Sequence, residues 1–267
     1  AEESDDEPSE DNEEFNAGAD AEEESNPGSS LEFPVDSDLE ERLLGDSMRE
    51  LISYAVGCMF GRYSLDKPGL ILADQGQTLE DYLQQVPEPS FMPDRENVLP
   101  ILEDEYFTDD IAERFKRFIK TAFGESHYQK NLDFIEKAIG KDIRRYFVKD
   151  FYNDHVKRYK KRPIYWLFSS PGGSFNALIY LHRYRPDTVS QVLNHYLRVY
   201  IEKINTRNRD LEQVKISGSA SPREQNQAAK EIEKNRKILR ELDAYEREVV
   251  FPLAAKRLEI DLDNGVK

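Results

Sequence analysis

Every lysine and arginine of this chain lies after residue 41, while residues 1–41 carry 18 aspartates and glutamates. That opening stretch is rich in Glu, Asp, Ser, Gly, Pro and Asn and poor in large apolar groups. Such a segment cannot bury enough surface to offset its ordering entropy, so residues 1–41 are predicted to be an acidic disordered linker. A sharper role, as a mimic of DNA competing for a basic groove, is open to the same composition. Removing these residues leaves 35 acidic and 37 basic side chains, so the net charge of −16 belongs to one tail. The remainder is nearly neutral, and overall charge does not argue against a nucleic-acid partner.

The 267 residues suffice for one large domain or two small ones. The longest apolar runs, Leu51 to Phe60 and Ile164 to Phe168, fall short of the roughly 20 residues a spanning helix needs, so no membrane partner is expected. The acidic N-terminal stretch lacks the basic region of a signal peptide. Cys58 is the single cysteine, which excludes an internal disulfide. A reducing, cytoplasmic setting is expected.

Apolar periodicity predicts a mainly α fold. Leu44, Met48, Leu51, Ile52, Ala55 and Met59 recur at helical spacing between Asp38 and Tyr63, with Gly57 and Gly61 pointing to close packing or a frayed end. Residues 64–100, broken by Pro68, Pro87, Pro89, Pro93 and Pro100, read as surface-wrapping chain. Three helices follow. One spans about 109–123, presenting Ile111, Phe115, Phe118 and Ile119. A second opens on a capping box of Ser126 and Gln129 and ends at Gly140, suited to a left-handed cap. A third, about 141–160, aligns Ile143, Phe147, Phe151 and His155.

Residues 163–184 change character. The aromatic, β-branched run Ile164–Phe168, a turn at Pro171-Gly172-Gly173, and a second β-prone run from Phe175 to Tyr184 predict one β-hairpin, its glycines supplying positive φ angles. Being apolar on both faces, it must be covered by helices. Beyond Pro186, a capping box of Thr188 and Gln191 opens a helix lined by Val189, Leu193, Tyr196, Tyr200 and Ile204. A polar connection near 207–220 leads to Ser221-Pro222-Arg223-Glu224, which combines an N-cap serine, a first-turn proline and the reciprocal glutamate. The two helices are expected to pair as a long antiparallel arm over about 187–248. The expected organisation is therefore a helical domain over 42–185 ending in the hairpin, a paired-helix arm over 186–250, and the start of a further C-terminal segment at 251–267.

Catalytic patterns are sparse. Gly172-Gly173 sits between strands with no phosphate-loop lysine behind it, and no nucleophile elbow or His-Glu-x-x-His pair occurs. His127, His155, His182 and His195 are scattered, so each is expected to be structural or solvated, and no metal site is expected. No Glu-x-Lys triplet supports a metal-dependent nuclease. What remains is a basic stretch: Lys141 to Arg162 holds nine cations against three aspartates, interleaved with Tyr146, Tyr152 and Tyr159. Cations along a helix neutralise phosphates, and tyrosines can stack or hydrogen-bond. Compensation of a helix C-terminus and ordinary solvation explain the same run without DNA. The residues singled out for DNA contact are Lys149, Lys157, Arg158, Lys160, Lys161, Arg162, Arg183, Arg185 and Arg207, with no catalytic, cofactor-binding or metal-ligating residue.

Two long runs carry a resemblance: LISYAVGCMFGRYSLDKPGL from Leu51 to Leu70, and RPIYWLFSSPGGSFNALIYLHRYRPDTV from Arg162 to Val189, continuing through NHYLR at Asn194 to Arg198. With the ending LEIDLDNGVK from Leu258, these make the chain similar to the PglX family, the adenine-specific DNA methyltransferases of BREX phage-defence systems, and distantly to fused type II restriction–modification enzymes. In that family the turn near Gly172 often holds a lysine, which this chain lacks. The resemblance implies a parent protein that methylates adenine N6 with S-adenosylmethionine at a specific site. The family's Asn-Pro-Pro-Tyr/Phe motif, which would grip an extruded adenine, does not occur here, since Asn26-Pro27 runs into Gly28. The glycine-rich cofactor motif is also missing. The implied place of this chain is the region C-terminal to the methyltransferase domain, non-catalytic by itself. It would be a DNA-binding, target-recognition or spacer region. Its implied partners are double-stranded DNA, that methyltransferase domain and other phage-defence proteins; a docking scaffold within a defence complex is the alternative.

Overall fold

The computed structural model describes residues 37–262. The expectations placed on 1–36 and 263–267 lie outside those residues. Helix α1 (Ser37–Phe60) opens inside the acidic stretch and buries Ile52, Ala55, Val56 and Met59. Its Gly57 is a close-approach position: a Cβ there would come within 2.3 Å of the Tyr63 ring, which folds back over the helix end.

The proline-rich segment is more ordered than its breakers suggest. Thr78 and Asp81 form a full capping box that opens α2 (Leu79–Gln85). Val98–Pro100 forms β1, a strand of three residues too short to show a period of two. The predicted hairpin is present as β2 (Tyr165–Ser169) and β3 (Asn176–Tyr180), and β1 adds to the free edge of β3. The sheet is thus three antiparallel strands in the order β1-β3-β2, pairing Leu99 with Leu178 and Leu167 with Leu178 across its centre.

Helices α3 (Ile111–Phe123) and α4 (Tyr128–Ile139) follow, and Gly140 closes α4 with φ +73°. Asp110 caps α3 by accepting from the Glu113 N–H at 2.9 Å. The capping box expected at Ser126 and Gln129 does not form. Ser126 hydrogen-bonds its neighbour His127 and Gln129 donates to Asp133, because a 3₁₀ turn (Glu125–His127) takes up the entry to α4. Helix α5 (Ile143–Tyr146) runs through a π-helical turn at Phe147–Phe151 into α6 (Tyr152–Arg158). The arm begins with α7 (Thr188–Gln191), which has no side-chain cap; Thr188 instead accepts from the Arg185 N–H. A second π turn leads into α8 (Arg198–Ile216). Its helix covers most of the connection expected at 207–220. The Ser221–Glu224 capping box forms as expected and opens α9 (Pro222–Tyr245), about 36 Å long at the α-helical rise. A third π turn joins α9 to α10 (Phe251–Lys256).

The sheet is a wall between two cores, and the alternation of strand side chains sorts residues between them. Leu99, Tyr165, Leu178 and Tyr180 face the core built by α1 and α3 to α6. Val98, Ala177 and Ile179 face the second core, made by α7, the root of α8 and the end of α9. The root of the arm therefore shares the sheet with the helical domain, and the second core holds side chains from both sides of 185/186. Beyond it, α8 and α9 pair through Leu211, Ala228 and Ile232.

Candidate nucleic-acid interface

The nine singled-out cations fall into distinct surroundings. Arg183 is buried and is withdrawn from the surface set: its guanidinium donates to the carbonyls of Phe60 at 3.1 Å and Asp94 at 2.8 Å. The β-prone run that carries it ends at Tyr180, and the 3₁₀ turn Leu181–Arg183 tucks the side chain inward. Arg185 pairs with Asp187, and Arg207 on the arm pairs with Glu231 at 2.9 Å. Lys149 lies 3.4 Å from Glu103, whose other oxygen faces Lys234 of α9. Arg158 reaches back to Glu50 of α1.

Four remain together. Lys157, Lys160, Lys161 and Arg162 are exposed and have no ion-pair partner among the described residues. They occupy the last turn of α6 and the loop that enters β2. Here the backbone reverses without glycine: Lys160 has φ +49° and Lys161 φ +65°, both in the left-handed region. The reversal satisfies the helix end, since the Lys161 N–H donates to Val156 O at 2.9 Å and the Lys160 N–H to Lys157 O at 3.1 Å. Two consecutive side chains thus sit in a conformation that costs about 1–2 kcal/mol each for an L-residue.

His155 holds the base of this turn. Its Nε2 accepts the N–H groups of both Ile164 and Tyr165 at 3.2 Å, pinning the start of β2 to α6. Accepting twice at Nε2 places the ring proton on Nδ1, which is buried without a partner. The ring lies between Tyr159 and Tyr165, each 4.6 Å from it centre to centre. Burial, aided by the positive charges of Arg158 and Arg62, pushes its pKa down to about 4. The imidazole is therefore neutral at ordinary pH and acts as a structural clasp.

The hairpin turn is a second clasp that the sequence did not reveal. Ser170 Oγ, Ser174 Oγ and the Gly172 N–H all donate to the carboxylate of Glu241 on α9. Burial alone would raise the Glu241 pKa, but these donors outweigh it and lower it. Only Gly173 has positive φ; Gly172 is there for space. Two serines around Pro-Gly-Gly were the signal available, but their acceptor lies 67 or more residues away.

Among the described residues no cluster of His, Cys, Asp and Glu is arranged to hold a metal ion, and no helix is long and apolar enough to cross a membrane. The buried Cys58 thiol is pushed up to about 12 by desolvation, far from reactivity.

No family model matches the chain. It is 38% identical over 241 residues to the adenine-specific methyltransferase BrxX of Escherichia coli O9:H4 (strain HS), covering 83% of this chain and 19% of that protein. It is 36% identical over 230 residues to the adenine-specific methyltransferase PglX of Lacticaseibacillus casei (strain Zhang), covering 82% of this chain and 18% of that protein. The chain spans less than a fifth of the length of these curated relatives. Over most of its own length, this chain is a PglX/BrxX-like protein, related to adenine-specific methyltransferases.

Proposed function

We propose that this chain is a DNA-holding region of an adenine-N6 DNA methyltransferase, gripping duplex phosphates through Lys157, Lys160, Lys161 and Arg162. The observation that carries this reading is their adjacency: four exposed cations without carboxylate partners, on a turn pinned by His155. Phosphate contacts of this kind set register and orientation, leaving base readout to other parts of the protein. Methyl transfer from S-adenosylmethionine would belong to a methyltransferase domain beyond this chain, in a cytoplasmic phage-defence setting with other defence proteins. Lys149, Arg158, Arg185 and Arg207 would act at most as a periphery, because each already faces a carboxylate. A docking role for the hairpin fits less well, since β3 is buried along its length.

The test is fluorescence anisotropy of the chain on a short labelled duplex across a salt series. Neutralising about four phosphates gives a slope of log affinity on log salt between roughly −3 and −4. Reversing Lys157, Lys160 and Lys161 to Glu should abolish most of that slope. Equal affinity and equal slope for both proteins would overturn the reading.

A further inference from the structure

A cleft of about 830 Å³ opens between α3, the segment Ser90–Glu96 and the start of the arm, bounded by groups that the proposed DNA turn does not include. Arg114 forms one wall and is only 8% exposed. Its Nη2 donates to Met92 O at 2.8 Å, and its guanidinium lies over the Phe91 ring. Its Nε is buried without a partner. Asp94 forms a long ion pair with it, Oδ2 lying 3.9 Å from Nη1, while Oδ1 accepts from the N–H groups of Glu96 and Val98. A buried guanidinium at the edge of an open space thus keeps one donor unpaired despite its carboxylate neighbour.

One turn further along α3, Arg117 also lines the cleft, exposed, touching Thr108 O at 3.4 Å and no carboxylate. Arg95 lines it as well and, like Arg117, has no ion-pair partner among the described residues. Two other side chains at the rim are occupied: Lys120 pairs with Glu125, and the His195 ring hydrogen-bonds Glu96 at 2.7 Å. The same lining carries apolar side chains, with Met92 exposed and Phe107 half-buried. The lining carboxylates are Asp94, Glu96 and Asp109, against Arg95, Arg114, Arg117 and Lys120.

We propose that this cleft binds a nucleotide, with Arg95 and Arg117 forking its phosphate and Met92 and Phe107 taking the base. Planar guanidiniums suit phosphate oxygens, and an apolar wall beside them suits a ring rather than a bare anion. The same chemistry is offered by a free nucleotide and by one unit of a single DNA strand.

Calorimetric titration of the whole chain separates these sources, using adenosine monophosphate, adenosine, inorganic phosphate and a short single-stranded oligonucleotide. Saturable binding of the monophosphate, weakened about tenfold by Arg117→Glu and by Arg95→Glu, supports a free nucleotide. Oligonucleotide binding with the same sensitivity, and none for the monophosphate, supports a strand. Both variants alter exposed side chains, and unchanged circular dichroism confirms that they fold. Adenosine binding as tightly as the monophosphate, phosphate binding as tightly, or binding of neither nucleotide probe each overturns the proposal. The inference does not rest on the turn at 157–162, which is tested with duplex and different variants, so either can fail alone.

Discussion

The carboxylate of Glu241 fills the space that a side chain at Gly172 would need: a Cβ there would lie 2.5 Å from Glu241 Oε2. The Glu241 carboxylate therefore sits directly on the turn backbone, with the Gly172 N–H donating to Oε1 at 2.8 Å. The two positions should be energetically coupled. Gly172→Ala is expected to destabilise the chain by about 1–3 kcal/mol through overpacking. Glu241→Ala should cost about 1–2 kcal/mol by leaving its donors short of an acceptor. In the double variant the alanine at 172 has room, so the combined loss in urea denaturation should be smaller than the sum by about 0.5 kcal/mol or more. Simple additivity would refute the close approach.

Under the proposed function, backbone strain at Lys160 and Lys161 sets stability against DNA binding. Glycine at either position relieves the left-handed strain but adds freedom to the unfolded chain, for a net gain of about 0.5 kcal/mol each. The same changes would remove two of the proposed phosphate contacts. Lys160→Gly and Lys161→Gly should therefore melt at higher temperature and bind duplex more weakly. A fall in melting temperature would show that the side chains, rather than the backbone, stabilise this turn.

His155 makes stability depend on pH. In the unfolded chain its imidazole protonates below its ordinary value of 6.5, but in the fold only below about 4. Its contribution is therefore complete above pH 6.5, is lost as pH falls toward 4, and levels off beneath that. The integrated loss is on the order of 3 kcal/mol. His182 is shifted in the same direction by burial, so the measurement is a difference. Chemical denaturation of the wild type and of His155→Gln between pH 4 and 7 should show a shallower decline for the variant. Parallel curves would remove His155 as the titrating clasp.

Arg144 belongs to the basic stretch by sequence and to the interior by structure. Its Nη1 lies 2.6 Å from Asp110, a side chain with no exposure that also caps α3. Arg144→Ala would leave that carboxylate uncompensated and should cost about 3–5 kcal/mol in thermal or urea unfolding, with no specific change in the salt dependence of DNA binding. A loss under 1 kcal/mol, well below that range, would mean that water replaces the guanidinium.

The local signals that were legible join partners that are neighbours in the chain. The stripe of Ile111, Phe115 and Phe118, the left-handed Gly140 and the Ser221–Glu224 box all report short-range geometry, and all three are present. Two other boxes with equally good spacing, at Ser126 and Thr188, do not form, because capping also requires that the helix start there. Strand β1 was hidden because three residues, one of them a proline, carry no periodicity, and its partner β3 lies far along the chain.

Composition and spacing by themselves determined that this chain is mainly helical, where most helices run, that one hairpin interrupts them, and that cations crowd the end of the third predicted helix. Tertiary structure alone decided which cations remain available. Arg183 and Arg144 were drawn inward to carbonyls and a buried carboxylate, while Lys157, Lys160, Lys161 and Arg162 were left facing solvent. The reason is that a charge takes its meaning from what faces it, and the facing groups here, Asp110, Asp94 and Glu50, come from elements distant in the chain. Sequence spacing encodes a residue's own helix face; it does not encode the partner that folding brings to that face.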